Sequence, residues 1–226
     1  MRLASLFSGG KDSVYAARKA QESGHTLAYL VSIYSLNPDS YMFHTVNIDI
    51  TRLQAQAWGI PYIKAETKGI KEKELDDLRE TLAKLDIDGV ITGAIASRYQ
   101  GDRIDKLCSM LGLYHIHPLW GMERETLLNE MLDADMTIIF TAVAAHGLDQ
   151  SWLGEQLTYE TVDRLRELNR KYGVDMCGEG GEYESLVVDA PWFKKQIKIK
   201  GTEKTWDGVS GRYNIIDACL VSKDTT

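Results

Sequence analysis

Leu3-Ala4-Ser5-Leu6-Phe7-Ser8-Gly9-Gly10-Lys11-Asp12-Ser13-Val14 is the stretch whose reading decides the fold. Leu3 to Phe7 is an apolar run of the length of a buried strand. Ser8 to Asp12 breaks it. Ser13 to Ser23 then carries Val14, Ala17 and Ala20 at helical spacing, and Gly24 supplies a C-cap. A strand, a glycine-rich turn and a helix in this order make an anion site. Gly9 and Gly10 let the backbone bend and bring N–H groups close to a phosphate. The helix aims its positive N-terminus at the same point. Lys11 adds a full charge, and Ser8 and Ser13 add hydroxyl donors. Asp12 is placed to cap the helix or to hold a magnesium ion. A Walker loop is excluded, because Lys11 is followed by Asp12 and no glycine stands five positions before Gly10. The dinucleotide pattern GxGxxG is absent as well.

The alternation continues downstream. Thr26 to Ile33 is a second apolar strand, followed by a loop at Asn37-Pro38-Asp39-Ser40. Thr45 to Trp58 reads as a helix stopped by Gly59-Ile60-Pro61, and Tyr62 to Ala65 as a third strand. Ile70 to Leu85 places Leu75, Leu78, Leu82 and Leu85 on one face and charge on the other, an amphipathic helix with a solvated side. Asp88 to Thr92 is a fourth strand. Ser97 to Leu111 is a helix, and a short strand follows near Tyr114. This rhythm specifies an α/β fold, a parallel sheet with helices on both faces. The pattern then changes. Glu123 to Leu132 and Thr158 to Tyr172 read as helices. Met136 to Ala145, Ser185 to Val188, Gln196 to Lys200 and Tyr213 to Leu220 read as strands. The expectation is a nucleotide-binding domain over residues 1–120 and a smaller α+β domain over 121–226.

Bulk properties narrow the function. The 226 residues are 44% hydrophobic, enough for a packed core, and the formal net charge is −7. That sign lacks the cationic excess that releases counterions, so stable binding to nucleic acid is not expected. Cys108, Cys177 and Cys219 lie far apart without a CxxC pair, which argues against structural zinc or a dithiol centre and fits a reducing cytosol. No signal-peptide pattern is evident, and no uncharged run approaches the ~20 residues of a membrane span. A cytoplasmic protein without a membrane partner is expected, and a homodimer stays open.

A second constellation begins at Cys177. Gly178-Glu179-Gly180-Gly181-Glu182-Tyr183-Glu184-Ser185 packs three glycines and three carboxylates into eight positions. Like charges so close repel, and such a cluster is tolerable if it holds a cation or a donor-rich partner. The alternative is an exposed acidic turn. In an open α/β sheet, ligands collect at the carboxyl edge. That directs a ligand of the glycine-rich turn to Ser32, Ile33 and Tyr34 and to Gly93, Ala94 and Ile95, where an ATP site implied by family resemblance would place adenine. Ordinary core packing is the competing assignment for Ile33 and Ile95. His115 and His117 share a strand face but lack a third ligand, so they read as structural. Cys177, with no lysine or helix N-terminus evident nearby, reads as a bystander thiol.

Ser8-Gly9-Gly10-Lys11-Asp12-Ser13 resembles the SGGKDS loop of the ATP pyrophosphatases, the PP-loop superfamily, in which the loop grips the pyrophosphate of ATP and the α-phosphate is attacked. The run from Cys177 to Pro191 resembles the hallmark of the diphthine–ammonia ligases. So do Tyr41-Met42-Phe43-His44-Thr45, the stretch Gly93-Ala94-Ile95 with Ser97, Tyr99-Gln100 and Arg103, and Pro118-Leu119-Trp120-Gly121. The resemblance runs along nearly the whole chain and is most similar to the short archaeal form. It implies a PP-loop (HUP-like) fold and an AMP-forming amidation. In that reaction diphthine on translation elongation factor 2 reacts with ammonium through an acyl-adenylate. ATP and Mg2+ are the implied cofactors. Lys11, Asp12, Glu182 and Glu184 are the implied catalytic residues, with Asp12 on the metal. Phe43, His44, Ser97, Tyr99, Gln100, Arg103, Trp120, Glu179, Gly180, Gly181, Glu182, Tyr183 and Glu184 are implied at the substrate. Glutamates of the acidic segment would receive the trimethylammonium or deprotonate ammonium, with Trp120 or Tyr183 covering the cation. Two rivals remain: a tRNA-modifying enzyme with the same loop, and a nucleotide-binding protein without chemistry. Thiolating members of the first would want catalytic cysteines and a basic surface, and the second has no use for the acidic segment.

Overall fold

The computed structural model describes residues 1–35, 46–67 and 73–223, and the side chains of Lys73 and Gln100 are not described. Asn37-Pro38-Asp39-Ser40, Phe43 and His44 lie outside the described residues. The chain forms two compact units. One comprises Met1–Ser8, Asp12–Gln56 and Ile60–Trp120; the other comprises Gly121–Thr226 together with Gly9–Lys11 and Ala57–Gly59.

The first unit is a five-stranded parallel sheet of β1 (Arg2–Leu6), β2 (Thr26–Ser35), β3 (Tyr62–Thr67), β4 (Gly89–Ile91) and β5 (Tyr114–Ile116), in the order β3-β2-β1-β4-β5. Its helices are α1 (Lys11–Glu22), α2 (Ile50–Trp58), α3 (Lys73–Leu82) and α4 (Arg98–Leu111). From β1 the chain steps outward to β2 and β3, returns past β1 to β4, and steps on to β5. Right-handed crossovers put α1 and α2 on one face and α3 and α4 on the other. On the α3–α4 face, Leu78 and Leu82 pack with Ile104, Leu107 and Cys108 against Ala4, Val31, Ile33, Ala65 and Val90. Each fully buried leucine there contributes roughly 1.5–3 kcal/mol. Burial also pushes the Cys108 thiol up to about 11, so it stays protonated as a small core residue.

Several boundaries differ from the sequence reading, three of them beside the glycine-rich turn or in the sheet core. α1 begins at Lys11, not Ser13, because the helix starts as soon as Gly10 ends the turn. Asp12 is therefore inside the first turn, where its charge suits the helix dipole, rather than at the cap. β2 runs two residues past Ile33 because its pairing with β3 continues to Ser35 and Thr67. The amphipathic helix is described from Lys73 and ends at Leu82.

The second unit contains α5 (Arg124–Asp133), α6 (Tyr159–Tyr172) and an antiparallel sheet. The strands β6 (Thr137–Val143), β7 (Tyr183–Asp189), β8 (Lys195–Trp206) and β9 (Gly211–Ser222) lie in the order β7-β6-β9-β8. Glu123 caps α5 by accepting from the amides of Glu125 and Thr126. Those bonds hold its carboxyl below the usual range. Thr158 and Thr161 form a capping box for α6. β8 and β9 are longer than the sequence suggested. Gly201-Thr202-Glu203-Lys204 lacks apolar alternation, but ladder pairing continues through it across a register shift at Gly201.

Candidate active site

The turn after β1 divides between the units. Ser8, Asp12 and Ser13 belong to the first, where the Ser8 hydroxyl donates to Ser13 Oγ at 3.2 Å. Gly93 follows β4 by two residues, and a Cβ placed on it would lie 2.7 Å from the carbonyl carbon of Asp12 and 2.8 Å from the amide of Ser13. Only a residue without a side chain lets the carboxyl end of β4 approach the start of α1 this closely. The sequence points Gly93 toward adenine; its contact in the fold is with the backbone of the first turn of α1.

The other edge residues are partly occupied. The Ser32 hydroxyl is fully buried and donates to the Phe7 carbonyl at 2.6 Å, fastening the ends of β1 and β2. Ile33 belongs to the α3–α4 core and Ile95 is buried, so packing accounts for both. The Tyr34 hydroxyl donates to the Ile48 carbonyl and accepts from Tyr62, and burial raises its pKa. Ser97 is the N-cap residue of α4. Tyr99 is exposed, with the Arg103 guanidinium 4.2 Å from its ring centroid. Gln100 lies between them on the helix. Trp120 is exposed, 5.5 Å from the His117 ring, and lies over Gly101 of α4. Tyr99, Arg103 and Trp120 thus gather around the first turns of α4.

Gly9–Lys11 and the acidic segment fall in one compact unit. The Gly9 carbonyl accepts from the Val187 amide at 3.0 Å, and the Lys11 amide donates to Ser185 Oγ at 3.2 Å. The Lys11 side chain is 2% exposed. Its ammonium donates to the Cys177 carbonyl at 2.5 Å and sits 5.0 Å from the centroid of the Tyr183 ring. A lysine does therefore stand beside Cys177, contrary to the sequence reading, but on its carbonyl. The buried Cys177 thiol donates to the Arg124 carbonyl. Tyr183 is also buried: its hydroxyl donates to the Met176 carbonyl at 2.7 Å and its ring packs on Phe140. Its cation partner is Lys11, so Trp120 is the exposed aromatic of the pair named from sequence.

The acidic segment is built differently from a cluster of free charges. Glu182 turns back on its own loop, one oxygen accepting from the Asp175 amide at 3.1 Å and the other from the Gly180 amide at 2.8 Å. Asp175, which sequence reasoning missed, accepts from the Cys177 amide at 2.8 Å and from Arg124 at 3.2 Å. An Asp bonding two residues ahead, just before a glycine, is an Asx turn and was legible as one. Gly178 has φ +73, and a Cβ on it would meet the Tyr183 carbonyl at 2.8 Å, so glycine is required there twice over. Gly181 closes the turn onto the Gly178 carbonyl. Glu184 and Ser185 are not in the loop; they lie in β7, with Glu184 opposite Ala142 of β6. Glu179 is half-buried.

Two sequence models of known domains cover this architecture. The diphthamide synthase N-terminal domain matches residues 1–115, and the diphthamide synthase C-terminal domain matches residues 123–221. The chain belongs to the diphthamide synthase family. Relatives in this family carry the name diphthine–ammonia ligase, which makes the chain a member of a family of ligases. The mouse protein is 38% identical over 226 residues, spanning 90% of this chain and 84% of its own length. The human protein is 36% identical over 229 residues, with the same two coverages. The fission-yeast protein is 34% identical over 99% of this chain, which spans 40% of that longer protein. A crystal structure described as a predicted subunit of tRNA methyltransferase from Methanocaldococcus jannaschii is 19% identical, with a TM-score of 0.47, covering 84% of this chain and 98% of that one. In diphthamide synthase terms, the glycine-rich turn and Gly93 fall within the N-terminal match, and the Asp175–Ser185 segment within the C-terminal match.

Proposed function

We propose that this protein uses ATP to amidate diphthine on translation elongation factor 2 with ammonium, releasing AMP and pyrophosphate. Membership of the diphthamide synthase family supports the reaction class. The observation that carries the nucleotide part is the turn from β1 into α1, in which Lys11 is the first helical residue directly after Gly9 and Gly10. Backbone N–H groups at a helix start, the helix dipole and an ammonium favour an anion together.

A carboxylate does not react with ammonia at neutral pH because its leaving group is poor. Attack of the diphthine carboxylate on the α-phosphate gives an acyl-adenylate and pyrophosphate. Ammonia then displaces AMP. Lys11 and the turn amides stabilise charge on the departing pyrophosphate. Magnesium is expected with the nucleotide, and the hard oxygens of Asp12, Ser8 and Ser13 form a donor set that suits it. Bound there, the ion would neutralise phosphate charge. The domain over residues 121–226 recognises the protein substrate. Glu179 and Glu184 are the candidates of that domain for its trimethylammonium group.

The test is incubation of the protein with ATP, magnesium, ammonium and diphthine-bearing elongation factor. AMP and pyrophosphate are expected, and release of ADP in their place would overturn the chemistry. Lys11→Ala is expected to abolish ATP binding; undiminished binding would remove the turn from the site.

A further inference from the structure

Thr92 directly follows β4, His115 is the middle residue of β5, and Asp105 lies in α4. Thr92 Oγ1 is 2.8 Å from His115 Nε2, and His115 Nδ1 is 2.6 Å from Asp105 Oδ1. The imidazole is enclosed, with 4% of its side chain exposed, whereas 57% of the Asp105 side chain faces solvent. A carboxylate only accepts, so Nδ1 carries the proton. In the neutral ring Nε2 is then the acceptor and the Thr92 hydroxyl donates to it. A hydroxyl polarised in this way is a good acceptor toward a third group. The order hydroxyl, imidazole, carboxylate is the arrangement by which an imidazole draws a proton from a hydroxyl while the carboxylate fixes its tautomer.

The hydroxyl end stands beside the candidate site. Thr92 precedes Gly93, the glycine packed on the backbone of Asp12 and Ser13. Burial lowers the pKa of His115, the hydrogen bond and charge of Asp105 from α4 oppose this, and His117, 5.1 Å away beyond β5, adds to the lowering. The net effect keeps the ring neutral and able to accept a proton at neutral pH. Glu182, one of the bases named from sequence, has both oxygens engaged by main-chain amides.

We propose that Thr92, His115 and Asp105 form a proton relay that converts bound ammonium into ammonia for the amidation. The relay rests on the amidation reading above. Ammonium has no lone pair and cannot attack. One N–H proton passes to Thr92 Oγ1 as the Thr92 proton passes to His115 Nε2, and Asp105 stabilises the imidazolium. The freed lone pair forms the C–N bond, the bond from the acyl carbon to the AMP oxygen breaks, and AMP leaves with that electron pair and one nitrogen proton. Thr92 is the catalytic residue, and His115 and Asp105 act through it.

The test measures AMP release by the full chain from about pH 6 to 9 with ammonium or with hydroxylamine, a nucleophile whose nitrogen is already uncharged at neutral pH. Thr92→Val and the solvent-facing Asp105→Asn are expected to lower kcat with ammonium about 100-fold and to flatten its acid limb. KM for ATP stays unchanged. With hydroxylamine both variants stay within about threefold of the parent protein. Thr92→Ser, which keeps the hydroxyl, restores ammonium turnover. A histidine that only ties β4, β5 and α4 together would give equal losses with both nucleophiles, or none, and either result overturns the relay. If the unmodified protein releases no AMP with either nucleophile, the amidation reading fails and the relay falls with it.

Discussion

Replacing Glu182 separates two roles that one carboxylate cannot fill at full strength. Its oxygens accept from the amides of Asp175 and Gly180 at 3.1 and 2.8 Å. Each charge-assisted bond is worth about 1.5 kcal/mol at the low end, which suits a half-buried group. Glu182→Ala therefore costs about 2–3 kcal/mol, and Glu182→Gln, which keeps one acceptor and turns an NH2 toward the other amide, about 1–2 kcal/mol. With a urea m value of about 2–3 kcal/mol/M, the alanine variant unfolds at a midpoint lower by about 1 M. Tryptophan fluorescence reads the midpoint, and hydrogen exchange at the Asp175 and Gly180 amides reads the local opening. Amidation falls as well, because the loop that presents Glu179 and the Cys177 carbonyl loosens. The reasoning fails if Glu182→Gln unfolds like the parent protein and exchanges at the parent rate while losing amidation. That result would make the carboxylate a group acting on substrate, not a fastener of the loop.

Gly93→Ala forces a Cβ to within 2.7 Å of the Asp12 backbone, an overpacking of about 1–3 kcal/mol that is expected to weaken ATP affinity about tenfold or more by equilibrium dialysis; unchanged affinity would detach β4 from the nucleotide site. Tyr183→Phe orphans the buried Met176 carbonyl and is expected to cost about 1–2 kcal/mol in urea unfolding while leaving ATP affinity intact, since the ring under Lys11 remains. His115 has a folded-state pKa below its ordinary value of 6.5, so its neutral form contributes stability that is fully present above that value and is lost as pH falls through the lower folded pKa. Thermal unfolding of the parent protein is expected to weaken over this acid window more steeply than that of His115→Gln, and parallel curves would count against the buried neutral ring.

The parallel sheet was legible because β1, β2 and β4 are apolar runs ended by a glycine or proline signal and helices with a clear apolar face alternate with them. The glycine-rich turn was legible because glycine, lysine and hydroxyl residues at a strand end have few structural uses. The partners within each motif were not. Glu182 looks like its neighbours Glu179 and Glu184 in the sequence, and only the folded loop shows it bonded to amides two and seven residues away. Asp105, His115 and Thr92 are scattered over three elements, and parallel pairing of β4 with β5 is what brings Val90 level with His115 and the relay within reach. Tyr183 reads as a substrate-facing aromatic in the sequence because it directly follows the acidic loop, whereas it is the first residue of β7 and is buried.

Lys11 gives the physical logic of the nucleotide half. Burying an ammonium costs several kcal/mol unless the surroundings compensate it. Two of the groups that hold it, the Cys177 carbonyl and the Tyr183 ring, are dipolar and carry no formal charge. A carbonyl and a ring face each stabilise an ammonium without adding formal charge of their own. The second unit, by fixing Lys11 through Cys177, Tyr183 and Ser185, positions that charge before any nucleotide arrives, and preorganised charge is the kind that stabilises a departing pyrophosphate without reorganisation at the moment of reaction.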